Sequence, residues 1–150
     1  MRLTCEARLE VPFGTVRQAL LSPATLEQIA APLIRFIWSD PPERPTHWQP
    51  RRHKVLMRLF GVVPLGWQVI DPVIDQDQPD HFILVDRGSG PLISVWHHRL
   101  ILTRSEGGCH YADGLTLAAG MATPLVWLFA WVFFHHRQRR LRALLQSPSG

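Results

Sequence analysis

The sequence predicts an α+β fold: a curved antiparallel sheet of about seven strands, two short helices after the first strand, and one long C-terminal helix. Three observations carry this. Leu3, Cys5, Ala7, Leu9 and Val11 alternate with Thr4, Glu6, Arg8 and Glu10, the period of a strand with one wet face. From Leu33 to Ala118 the chain is a succession of β-rich runs separated by turns rich in proline and glycine. From about Thr123 to Gln146, Trp127, Trp131, Phe134, Gln138, Leu141 and Leu145 fall in one stripe about 80° wide, at about 100° per residue. Sequential strands with short turns form antiparallel sheets, and a sheet with one dry face needs a cover.

The elements follow in order. Pro12 ends the first strand. Phe13, Val16, Ala19 and Leu20 have helical spacing, and Pro23 opens a second short helix carrying Leu26, Ile29 and Ala30. Two helices fit better than one, because a proline inside a helix costs about 3 kcal/mol. Leu33–Ser39 is a strand that runs into the proline-rich loop DPPERPTHWQP, flanked by Trp38 and Trp48. That loop is either a lid over a pocket or simply pinned to the surface. Val55, Met57 and Leu59 form one face of the next strand, and Gly61–Gly66 punctuates a hairpin into Trp67–Ile74. Asp71, Asp75, Asp77 and Asp80 lack the glycine and terminal glutamate of a calcium loop, so this stretch reads as a solvated turn. His81–Asp86, Leu92–Thr103 and Cys109–Ala118 complete the strands.

Length and composition bound the rest. With 150 residues and 46% hydrophobic content, the chain reads as one domain over 1–150 and buries roughly 70% of its unfolded surface. It therefore needs no disulfide or structural metal. Cys5 and Cys109 have no metal-ligand spacing and read as free thiols in a reducing cytoplasm. Charges at Arg2, Glu6, Arg8 and Glu10 interrupt any apolar core of a secretory signal. The twenty uncharged residues Leu115–Phe134 have the length of a membrane span, but Gly120 and Pro124 divide them. Pro124 suits a helix start, which leaves only Leu125–Phe134 as an apolar run, too short to cross.

The net charge of +4 comes from sixteen basic residues, all but Lys54 arginine. Arg137, Arg139, Arg140 and Arg142 form a basic patch that complements the helix dipole. Without stacking aromatics on that face, nucleic acid is not an expected partner. The His97-His98 and His135-His136 pairs do not converge, since neighbours diverge on strands and helices alike; no metal or cofactor is expected. Up to Phe134 the last helix is apolar all round, so sheet and loops, a second copy in a homodimer, or weakly a membrane surface should cover it.

Alternation places Trp96, His98, Leu100 and Leu102 on one face and Tyr111, Asp113, Leu115 and Leu117 on one face of the next strand. A pocket between sheet and helix would then be lined by Val55, Met57, Trp67, Trp96, Leu115, Trp127 and Trp131. His98, Tyr111 and Asp113 would be its polar points. Such a pocket fits a hydrophobic or amphipathic small molecule. A histidine oriented by an aspartate can also serve as a general base, which makes His98, Asp113 and Tyr111 the catalytic candidates. No nucleophile elbow, zinc-protease, phosphate-loop or dinucleotide pattern supports an enzyme, so binding is the stronger expectation.

Three segments carry a family resemblance. VPFGTVRQALLSPATLEQI, WHHRLILTRSEGGCHYADGLTLAAG and HHRQRRLRALL resemble the opening, the penultimate strand pair and the closing helix of the START-like (SRPBCC) superfamily. The likeness is to its bacterial ligand-binding and polyketide cyclase/dehydrase-like branch. The resemblance implies the helix-grip fold and a lipid- or polyketide-like ligand held between sheet and helix. It also implies, as the alternative, a cyclase or dehydratase using His98 with Asp113.

Overall fold

The structure is a computed structural model that describes residues 1–146. Eight strands and three helices follow the order β1 (Arg2–Leu9), α1 (Phe13–Leu20), α2 (Pro23–Ala30), β2 (Ile34–Asp40), β3 (His53–Leu59), β4 (Val63–Ile70), β5 (Pro72–Gln78), β6 (His81–Gly88), β7 (Val95–Ser105), β8 (Gly108–Ala118) and α3 (Thr123–Gln146). The fold is α+β, with the two short helices and the long last helix where the residue periods place them. Both sheets are antiparallel. One has five strands in the order β1-β8-β7-β6-β5, the other three in the order β2-β3-β4. Backbone bonds between Val69 and Ser89, at 2.8 and 3.3 Å, join them.

Local chemistry explains the punctuation. Pro23 starts α2, and the Ala31 N–H closes its end on the Glu27 carbonyl at 3.2 Å. The acidic stretch after Asp71 is not a turn. It forms β5, an edge strand on which Asp75 and Asp77 face water. Exposed charge with proline at or beside both ends is a common protection of a sheet edge, and Arg17 of α1 pairs with Asp77 at 2.5 Å. The single run expected over Trp67–Ile74 is accordingly split, β4 ending at Ile70 and β5 starting at Pro72.

The core has two parts, and α3 runs over both. Its far end packs Leu141 against Leu9, Phe13, Leu100, Leu102 and Tyr111. Its near end packs Ala130, Phe133 and Phe134 against Leu3, Cys5, Ile34, Leu115 and Leu117. The buried stripe of α3 is Ala130, Phe133, Phe134, Arg137, Gln138 and Leu141. Phe134, Gln138 and Leu141 lie where the period puts them, but Trp131 is 44% exposed and Arg137 is inside. The α3 axis is thus rotated toward the side carrying Ala130 and Phe133. No helix among the described residues is long and apolar enough to cross a membrane.

Candidate functional site

Between α2, the three-stranded sheet, β6–β7 and the first half of α3 lies a cavity of about 580 Å³. Ile29 and Leu33 line one side, Phe36, Met57 and Leu65 the small sheet, and Phe129 and Phe133 the helix. The small sheet closes on the large one through the loop after β6. A Cβ at Gly90 would stand 2.3 Å from Gln68 Oε1 and 2.7 Å from the Trp67 carbonyl, so only glycine permits this approach. Phe60, Leu92, Leu125 and Leu128 line the cavity and are also exposed, Leu125 by 72%, which marks them as its mouth.

Charged and titratable groups are few in this lining and meet on one wall. Asp86 of β6 and His98 of β7 are direct cross-strand partners, so both side chains stand on the inner face. Arg137 of α3 lines the same wall and is buried. Behind His98 lies a network whose inner members, Asp113, Tyr111 and Gln138, do not line the cavity. His98 Nε2 is 2.5 Å from Asp113 Oδ1, and the Tyr111 hydroxyl donates to the same oxygen at 2.8 Å. Gln138 Nε2 donates to Asp113 Oδ2 at 3.0 Å and to the Cys5 carbonyl at 2.8 Å, while Arg137 reaches the Tyr111 hydroxyl at 3.3 Å.

The charges of this network follow from burial and from one another. Burial opposes ionisation of Asp113, but the Arg137 charge and the His98 contact more than offset it and hold the carboxyl below its usual range. Burial lowers His98, which stays neutral with its Nε2–H on Asp113, and raises the Tyr111 hydroxyl well above its usual value. Burial pushes Asp86 up to about 7, against a bond from the Asp71 N–H at 2.8 Å that favours the anion. Asp86 nonetheless keeps partial exposure, because its free surface opens on the cavity.

The structure brings together only some of the expected site residues. Met57, Trp96 and His98 line the cavity. Tyr111 and Asp113 are buried behind His98, so Tyr111 donates to Asp113 and not to a ligand. Val55 and Leu115 are fully enclosed in the packing. Trp67 is opposite Leu56 in the β3–β4 register, on the outer face, where Lys54 stands 4.8 Å from its ring. Trp127 donates to the Arg2 carbonyl at 2.9 Å, and Trp131 lies outside against His135. Of the basic patch, Arg137 is not at the surface at all. Sequence reasoning missed Asp86 and Arg137. Asp86 continues the inner face of Phe82 and Leu84, a charge on an apolar face that alternation shows; Arg137 sits three residues after Phe134 and four before Leu141, but within a run of arginines that hides it.

Fold and site together define an α+β protein with an apolar cavity held between sheet and helix. The chain belongs to the family described as "Domain of unknown function (DUF8410)", whose model matches residues 7–145. Solved structures similar to it include hypothetical protein jhp0584 from Helicobacter pylori, with TM-score 0.72 and 11% identity over 97% of this chain and 88% of that one. Protein Ms6760 from Mycobacterium smegmatis has TM-score 0.70 and 16% identity over 99% and 93%. Protein CV1439 from Chromobacterium violaceum has TM-score 0.67 and 14% identity over 97% of both chains. At these identities the likeness is one of fold. No curated protein matches the chain in sequence.

Proposed function

We propose that this chain is a cytoplasmic START-like (SRPBCC) protein that binds a hydrophobic or amphipathic small molecule in the cavity under α3. The observation that carries the reading is the cavity itself: about 580 Å³, walled by aliphatic and aromatic side chains, with its charged groups gathered on one wall. That volume and composition are those of small-molecule sites. Enclosing an apolar molecule removes its surface from water at roughly 25 cal/mol per Å². Extraction of the purified protein with organic solvent, followed by mass spectrometry of the extract, tests it; recovery of a stoichiometric lipid- or polyketide-like compound is the expected result.

A second reading is an enzyme of the polyketide cyclase or dehydratase type. It is favoured by the His98–Asp113 contact of 2.5 Å, which orients the ring and leaves Nδ1 without a partner among the described residues, on a residue that lines the cavity. Incubation with a linear poly-β-ketone, comparing wild type with His98→Ala, tests this by the appearance of a cyclised or dehydrated product. Contact with a membrane surface is favoured by the exposure of Leu125, Leu128, Trp131 and Val132 on the first half of α3. Co-sedimentation with anionic vesicles tests it.

A further inference from the structure

The titratable groups that line the cavity, Asp86, His98 and Arg137, differ in kind from Asp113 behind them. Asp113 is fully bonded, by His98, Tyr111 and Gln138. Arg137 is not: it is 8% exposed, its one side-chain hydrogen bond among the described residues is the 3.3 Å contact with Tyr111, and its Nε–H has no partner among them. A buried guanidinium with open donor capacity on the wall of an apolar cavity carries a large desolvation cost, and a ligand anion relieves it. Asp86 stands across from His98 on the same wall, within the electrostatic reach of Arg137 but not in an ion pair with it. Both line the cavity, so a ligand head group that enters it meets both.

We propose that Asp86, His98 and Arg137 form a receptor for the carboxylate end of an amphipathic ligand whose hydrocarbon part lies along the apolar wall. This rests on the small-molecule reading above and names the ligand class. The guanidinium supplies charge and planar donor geometry, which a carboxylate matches and a hydroxyl does not. Asp113 already balances the Arg137 charge, so a ligand anion must be met by one further proton. Asp86 supplies it: protonated, its free oxygen donates to the ligand carboxylate. The charged and titratable groups facing Asp86 are Asp71 on the β4–β5 turn, His98 on β7 and Arg137 on α3. With the Asp86 carboxyl pushed up to about 7, the proton is present below neutrality and lost above it. Burial lowers His98 and favours its neutral form.

Titration with dodecanoate and with dodecan-1-ol, probes of equal chain length, tests this at about pH 6 and about pH 8.5, either side of the Asp86 titration. Wild type is expected to bind dodecanoate at least about tenfold tighter than the alcohol at the lower pH and to lose about tenfold at the higher. Asp86→Asn, whose amide donates at both pH values, should bind dodecanoate with no such loss. Arg137→Gln should abolish the preference for the acid; if it does not fold, the wild-type and Asp86→Asn titrations still decide. Equal binding of acid and alcohol at both pH values overturns the carboxylate receptor and leaves the cavity reading standing. Binding of neither probe overturns both.

Discussion

Asp86 on β6 and His98 on β7 stand directly opposite one another in the antiparallel register, and both side chains line the cavity. Two titratable groups so placed inside an apolar wall make the stability of the fold depend on pH in opposite directions.

Asp86 is raised, so the folded state holds a proton that the unfolded chain releases at about pH 4. The folded state binds more protons across that interval, and stability from this group falls as pH rises from about 4 to about 7, then levels off. The loss is up to roughly 4 kcal/mol. Asp86→Asn is therefore expected to be more stable than wild type at neutral pH and nearly equal to it at about pH 4. Thermal melts across this range measure the difference.

His98 and Asp113 act on the acid side. A lowered histidine is neutral when folded and charged when unfolded, so its contribution is lost as pH falls below about 6.5, the usual imidazole value. A lowered carboxylate loses its contribution as pH falls through its folded value. Wild type should thus destabilise toward acid and, through Asp86, weaken toward neutrality. In Asp86→Asn only the acid limb should remain.

Asp113 holds the buried network together. Replacing it with alanine removes the acceptor of Tyr111, Gln138 and His98 and leaves the Arg137 charge uncompensated, a change expected to cost about 3–5 kcal/mol. Tyr111→Phe removes the bond to Asp113 and the longer one from Arg137 and should cost about 1–3 kcal/mol. Urea denaturation of both variants gives the order.

The tryptophans separate wall from surface. Trp96 lines the cavity and stacks on Phe134, with ring centroids 5.9 Å apart, so Trp96→Ala should lower stability by about 3 kcal/mol and weaken ligand binding. Trp131 is 44% exposed against His135; its replacement by alanine should cost about 0.5 kcal/mol and leave binding unchanged. Equilibrium unfolding and probe titration of the two variants make the comparison.

Much of this is legible in the sequence. The alternation in Leu3–Val11 and in the strands holding Trp96–Leu102 and Tyr111–Leu117 places His98 and Asp113 inside, and the register brings them together. Pro23 and Pro124 mark helix starts because the ring fixes φ near its helical value. What alternation alone misses is any position where pairing decides the face. Trp67 lies outside because the β3–β4 register shifts near Met57 and sets it opposite Leu56. The acid-rich β5 exists because β6 offers an edge to pair with, which no local signal shows. Arg137 looks like one of a run of surface arginines until the rotation of α3 is known.

The central claim is that the space beneath α3 receives an apolar molecule. Native mass spectrometry of protein stripped with organic solvent, then titrated with dodecanoate, tests it most directly. The stripped protein should take up one molecule per chain. An unshifted mass at every probe concentration would contradict the account.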